Sequence, residues 1–128
     1  MKRKDMIAPC GMNCAVCSGY LRKDYPCMGC RNMEYKRCVI FKCERLAQTA
    51  SGFCYECVKF PCRRMRELDA RYVNNYNVSL IGNLRQIQAA GIDLFLQSET
   101  AKWTCKGCGG TICIHKGYCW QCKLPAKI

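Results

Sequence analysis

The chain is short of the ordinary material of a folded core: Leu, Ile, Val and Phe together number 25 of its 128 residues. That is about a fifth, the level near which a chain struggles to bury enough apolar surface to offset its conformational entropy. Histidine is nearly absent, with His115 alone, and acidic residues number nine against 21 basic ones. One imidazole leaves little acid–base equipment near neutral pH. No phosphate-cradling glycine loop, serine triad or paired-carboxylate motif is present, so conventional enzyme chemistry is poorly supported. No stretch approaches the roughly 18 uninterrupted apolar residues of a membrane span, and no membrane partner is expected. The start, Met1-Lys2-Arg3-Lys4, has no apolar run after it and so lacks the pattern of a secretory signal. The expected compartment is the cytosol. There is also no fixed-period repeat, low-complexity tract or Pro/Gly/Ser linker, which favours one compact body.

What the chain has instead is cysteine, at 15 residues. In a secreted chain that density would read as a disulfide scaffold, but in a reducing compartment it reads as metal ligation. Ten cysteines lie from Cys10 to Cys62, none over residues 63–104, and five from Cys105 to Cys122. Aliphatic and Phe content runs the other way, with 10 such residues in the first 62 and 11 in the 42 residues 63–104. The expected architecture is a small metal-stapled α+β fold. It has a cysteine-rich knuckle region over 1–62, a short helical layer over 63–104 packing against it, and a zinc-ribbon hairpin over 105–128.

The middle reads as helices. Met65, Leu68, Tyr72 and Tyr76 recur at helical spacing after Pro61, a residue favoured in the first turn, and Asn74, Asn75 and Asn77 mark a stop. A second helix is expected after Ser79 as N-cap, with Leu80, Ile81, Leu84 and Ile87 on one side and Gly91 as its left-handed C-terminal residue. Ile92, Phe95, Leu96 and Trp103 continue as a third.

After the helices come two CxxC knuckles, Cys105/Cys108 and Cys119/Cys122, ten residues apart. Two residues between thiolates let one tight turn aim both sulfurs at a single ion, and a second turn alongside completes a tetrahedron. Residues 111–114 and 118–120 would pair as a hairpin turning at His115-Lys116-Gly117. Cys113 and His115 alternate with Ile112 and Ile114 within it, and either could replace a knuckle sulfur. Four knuckle thiolates satisfy a closed structural site, so they are preferred, with His115 as a polar turn residue or a donor to a thiolate. A site closed by four thiolates has no position for a catalytic water.

The first block runs Cys10, Cys14, Cys17, Cys27, Cys30, Cys38, Cys43, Cys54, Cys57 and Cys62. The most economical grouping places Cys14, Cys17, Cys27 and Cys30 on one ion and Cys38, Cys43, Cys54 and Cys57 on another, although interleaved pairing is equally legal by spacing. Up to three zinc ions per chain are then expected. Iron competes in this block. Cys10-x3-Cys14-x2-Cys17 has the spacing with which radical enzymes hold three corners of a four-iron cluster, and Cys54-x2-Cys57-x4-Cys62 resembles part of a ferredoxin run. The chain is too short for the barrel that radical chemistry normally occupies, and it lacks the tight bacterial ferredoxin motif. Zinc is therefore preferred. Cys62, between Pro61 and Arg63-Arg64 at an expected helix start, has surroundings that favour a thiolate, either as a nucleophile or, as preferred here, as a metal ligand.

The segments Ala8-Pro9-Cys10-Gly11-Met12-Asn13-Cys14-Ala15-Val16-Cys17, Cys27-Met28-Gly29-Cys30 and Gly52-Phe53-Cys54-Tyr55-Glu56-Cys57-Val58-Lys59-Phe60-Pro61-Cys62 resemble the domain of unknown function 3795 family. Residues 103–122 are similar to the ribbon that longer members append. The resemblance implies a small cysteine-rich, zinc-binding prokaryotic protein, and it implies no reaction.

The formal charge of +12 invites a nucleic-acid reading. A zinc ion with four thiolates carries −2, so three such sites would bring the total to about +6. The densest basic features are Lys2-Arg3-Lys4 and the Arg63, Arg64, Arg66 and Arg71 set, with aromatics such as Tyr35, Tyr55, Phe60, Tyr118 and Trp120 near basic residues. Such rings stack on bases or shield zinc sulfurs, and no groove-reading motif is legible. The leading reading is a zinc-binding module presenting a basic surface to a protein or nucleic-acid partner. The rivals are an iron–sulfur redox protein and a nucleic-acid-binding zinc protein.

Overall fold

Three helices form where the 3.6-residue apolar pattern predicts them. The structure, a computed structural model, describes residues 4–24, 26–33, 40 and 43–125. Helix α1 spans Arg63–Tyr76, α2 Leu80–Ala90 and α3 Ile92–Trp103. Pro61 stands one residue outside the N-cap Cys62 rather than in the first turn of α1. Asn77 ends α1 at φ 57, a left-handed conformation that its short polar side chain tolerates. Ser79 caps α2 by accepting from Gly82 N at 2.9 Å. Its hydroxyl donates to Asp69 Oδ1 at 2.8 Å, and the same oxygen accepts from Ile81 N at 2.9 Å. A carboxylate on α1 thus fixes the start of α2. Met65, Leu80, Leu84, Ile87, Phe95, Leu96 and Trp103 turn inward and are buried.

Composition assigns the apolar core to the helical middle, whereas the structure extends it into the amino-terminal segment. Every residue of segment 6–16 is buried. Met6, Ala8, Cys10, Met12, Cys14 and Val16 share one cluster with Met65, Leu80, Leu84 and Trp103, and Ile7 packs with Ile87, Phe95 and Leu96. The physical reason is that Met, Ala and unoxidised Cys pack as apolar side chains, although a count of Leu, Ile, Val and Phe omits them. The segment folds back on itself through Ala8 N donating to Met12 O at 2.9 Å and the Ile7–Asn13 bridge. Cys54 N donates to Pro9 O at 3.0 Å and Asn83 Nδ2 to Gly11 O at 3.0 Å.

Arg31 ties this segment to the next loop. Its Nε donates to Ile7 O at 2.7 Å and its Nη2 to Gly52 O at 2.9 Å, with the guanidinium 4.6 Å from the Phe53 ring centre. Lysine cannot reproduce a planar fork that bonds two carbonyls while stacking. Arg31→Lys is expected to cost about 1.5–3 kcal/mol, read as a lower denaturant midpoint at unchanged slope. A wild-type midpoint would show the clamp to be idle.

Beyond α3 the chain pairs through the antiparallel bridges Thr104–Thr111, Ile112–Cys119 and Tyr118–Pro125. Among the described residues β structure is limited to isolated bridges, so where an α+β fold is expected the body is nearly half helical with few extended pairs. The runs between turns are too short to build longer ladders. Among the described residues no helix is long and apolar enough to cross a membrane.

Candidate metal centre

The end of α3 delivers the first knuckle. Ile112 N donates to Trp103 O and Cys105 N to Gly110 O, both at 2.7 Å, and Gly109 N donates to Cys105 O at 2.9 Å, closing the turn that carries Cys105 and Cys108. Gly110 has to lack a side chain: a Cβ there would stand 2.9 Å from Gln121 Cβ and 3.0 Å from Cys119 Sγ. The second knuckle is brought alongside by Cys113 N donating to Tyr118 O at 3.0 Å and Trp120 N to Thr111 O at 2.8 Å. It closes with Lys123 N on Cys119 O at 2.9 Å.

The sulfurs of Cys105, Cys108, Cys119 and Cys122 all lie within 4.8 Å of one another. Cys105 and Cys122 are 3.8 Å apart and Cys108 and Cys119 3.5 Å. A tetrahedron with 2.3 Å metal–sulfur arms has sulfur–sulfur edges of about 3.8 Å. These four cysteines therefore form a site dimensioned for one ion, with sulfur donors only.

Backbone N–H groups aimed at sulfur favour the thiolate form that ligation requires. The N–H groups of Cys108 and Gly107 hold Cys105 below the usual thiol range. The N–H of Cys122, seconded by that of Gln121, brings Cys119 down to about 6. At Cys108 the Gly110 N–H also lowers the pKa, but hydrogen bonding with Cys119, burial and the other two sulfurs outweigh it and push the thiol up to about 11. Protons thus leave Cys105, Cys108 and Cys119 unequally, and an ion would displace the last of them.

Cys113 and His115 are placed elsewhere. Cys113 is fully buried and outside the four-sulfur group. His115 Nδ1 accepts from Ser18 N at 3.3 Å, and its Nε2 lies 3.3 Å from the Tyr72 hydroxyl. The ring meets Tyr72 and Tyr76 edge-on at 6.0 and 5.0 Å. An Nδ1 that accepts leaves the proton on Nε2, and burial, followed by the Lys116 charge, lowers the imidazole's pKa. This histidine joins α1 to the amino-terminal segment rather than facing a sulfur.

The first block gathers in two overlapping neighbourhoods, with Cys10 a charged neighbour of both Cys14 and Cys54. Cys14 Sγ accepts from Cys30 N at 3.4 Å. The Cys30 thiol also bonds this sulfur, which lowers the pKa of Cys14 and raises that of Cys30. Cys17 is raised by burial, with Cys27 and Cys30 as further charged neighbours. In the second neighbourhood Cys54 is pushed up to about 12, first by burial and then by Cys10, Cys62, Cys43 and Cys57. Cys38 lies outside the described residues. Among the described residues no three ligand atoms other than those of the carboxy-terminal group close within 4.8 Å of one another. None of the fourteen described cysteines is in a disulfide.

One buried carboxylate is invisible in the sequence. Glu99 on α3 is 7% exposed, and its Oε1 accepts from Asn13 Nδ2 at 3.3 Å and Trp103 Nε1 at 3.2 Å. It borders a cavity of about 60 Å³ whose walls include Met6, Val16, Trp103 and Thr111. Burial holds its carboxyl above the usual range, against the pull of Asn13, Lys102 and Trp103. A raised folded-state pKa means that its contribution to stability is full below the unfolded value and is lost as pH rises through the folded one. Glu99→Gln keeps the acceptor oxygen and removes the charge, so it should raise the denaturant midpoint at pH 7 with the gain vanishing by about pH 4. Glu99→Ala strands both donors and should cost about 1–3 kcal/mol. A gain that did not fade on acidification would contradict this account of Glu99.

No family model matches the chain, and no curated protein or solved structure is similar to it.

Proposed function

We infer that this chain is a zinc protein in which Cys105, Cys108, Cys119 and Cys122 hold one structural ion in a ribbon-type hairpin, and that it serves as a binding or regulatory module. The observation that carries the reading is the mutual approach of four sulfurs at the edge lengths of a tetrahedral thiolate site. All-sulfur donors at this geometry suit zinc, and a set closed by four thiolates keeps no position for water, so the ion's role is folding rather than hydrolysis. The resemblance of residues 8–17, 27–30 and 52–62 to the domain of unknown function 3795 family agrees with a zinc-binding protein.

The partner proposed is anionic, a protein or nucleic acid. Helix α1 buries Met65 and half-buries Leu68, Tyr72 and Tyr76, while Arg63, Arg64, Arg66 and Arg71 point away from that buried face. Arg45 and Lys59 extend this basic face, and beside it Val58 is 90% exposed. Elemental analysis of anaerobically purified protein should give zinc, and chelation followed by circular dichroism should show loss of structure at the carboxy-terminal end. Full structure in metal-free protein would refute the reading. Binding to polyanions should weaken steeply with salt, and a salt-insensitive interaction would remove the basic face from the account.

A further inference from the structure

We propose that Cys43, Cys54, Cys57 and Cys62 hold an iron–sulfur cluster, a second centre unlike the carboxy-terminal one. All four line a single cavity of about 30 Å³ whose remaining walls are Ile40, Leu46, Phe60, Met65 and Arg64. Apart from Arg64, everything facing this space is hydrocarbon or sulfur, and no carboxylate or imidazole is among the walls.

Local structure turns these thiols toward one place. Cys54 opens and Cys57 caps a single 3-10 turn closed by Cys57 N on Cys54 O at 3.1 Å. Cys43 and Cys62 are N-caps of the Glu44–Ala47 turn and of α1, yet neither side chain is used for capping. The most economical grouping by spacing places Cys43, Cys54 and Cys57 with Cys38, which lies outside the described residues, and interleaved groupings are equally legal. Among the described residues Cys62, carried in by the start of α1, shares their cavity.

The nature of the occupant follows from size and charge. At the carboxy-terminal site four sulfurs close within 4.8 Å around the space of one ion, whereas no three of the sulfurs at this cavity do so. A single tetrahedral ion with arms of about 2.3 Å would leave sulfurs of the second group out of reach. A polynuclear core spans the gap, because each thiolate then binds a different iron of the cluster rather than a common atom. Such a centre is anionic. The adjoining groove, which Cys43, Cys57 and Cys62 also line, is edged by Arg45, Lys59, Arg63, Arg64 and Arg66. The positive end of the fourteen-residue α1 opens at Cys62 itself. Five cations and a helix N-terminus around an otherwise apolar hole match a buried negative core in sign.

The full chain, purified anaerobically and reconstituted with ferric iron, a thiol reductant and sulfide, should be brown and contain iron and acid-labile sulfide in equal amounts alongside about one zinc. Cys43→Ser and Cys62→Ser should each lose more than half of the iron and keep the zinc. Cys105→Ser and Cys122→Ser should lose the zinc and keep the colour. A colourless wild-type protein that takes up zinc alone would overturn the proposal, as would iron retained in both the Cys43 and Cys62 variants. Because the wild-type spectrum and sulfide content are read without any substitution, a variant that fails to fold does not shelter the proposal. Zinc counted separately keeps failure here distinct from failure at the carboxy-terminal site.

Discussion

Cys119→Ser is expected to remove one zinc ion per chain and to release residues 104–125 from their folded arrangement while α1, α2 and α3 persist. Structural zinc sites with thiolate ligands bind with roughly 10–16 kcal/mol near neutral pH, and that binding energy is folding energy for the segment that carries the ligands. The segment has little else. Its buried apolar side chains beyond Trp103 are Ile112, Cys113, Ile114 and Cys119, and its extended pairs are single bridges. The effect should nevertheless reach outward, because Ile112 and Ile114 belong to the main core and Ile114 N donates to Val16 O at 3.0 Å. Hydrogen exchange read by mass spectrometry should show protection lost over 104–125 and reduced over 14–18, with α2 unchanged. Cys113→Ser is the control: that thiol is buried but outside the four-sulfur group, so zinc should stay at the wild-type count. Acid should mimic the Cys119 variant. A thiol lowered from 9.0 to about 6 contributes stability that is present above the unfolded value and lost as pH falls through the folded one. Zinc should therefore be lost on acidification, as protons compete with the ion for all four sulfurs. Zinc retained in full by the Cys119 variant would remove the basis of the proposed function.

The carboxy-terminal site is legible in the sequence because its information is local. Each CxxC fixes two sulfurs on one turn, and the ten residues between knuckles suffice for one reversal of the chain. The helices are legible for the same reason: Ser79 and Asn77 act at the ends where their side-chain chemistry places them, and the apolar period selects the buried faces. The first block is different in kind. Ten thiols within 53 residues admit many groupings at equal spacing cost, and which sulfurs meet is decided by distant contacts. Cys62 reaches the Cys43, Cys54 and Cys57 cavity only because α1 starts there. No local motif marks Glu99 or Arg31, and His115 reads as a polar turn residue or a donor to a thiolate. Each becomes buried or clamped only when segment 6–16 and its neighbours dock. That docking is hard to foresee, since the segment's apolar content is largely methionine, alanine and cysteine rather than the aliphatic residues that usually announce a core.

Gly11→Ala tests that docking directly and should be among the most damaging single-methyl additions to this chain. Gly11 has φ +91, and a Cβ at this position would lie 2.7 Å from Leu80 O, 3.0 Å from Leu84 Cγ and 3.4 Å from Asn83 Cβ. Two costs combine. Positive φ strains a residue with a Cβ by roughly 1–2 kcal/mol, and forcing a carbon against a helix backbone oxygen that cannot swing aside adds about 1–3 kcal/mol of overpacking. Their combination is a large share of the roughly 5–15 kcal/mol by which small domains are stable. Gly109 and Gly117 separate the two contributions, since they have φ of +76 and +73 with nothing within 4 Å of an added Cβ. Alanine at either of those positions should lower the denaturant midpoint through backbone strain alone. The excess loss at Gly11 then measures how tightly the amino-terminal loop lies on α2. The Asn83 amide, which donates to Gly11 O at 3.0 Å, should be disturbed along with it. A midpoint for Gly11→Ala no lower than that of Gly117→Ala would mean that the loop stands off α2. The buried core assigned to residues 6–16 would then fail, while zinc binding at Cys105, Cys108, Cys119 and Cys122 would be untouched.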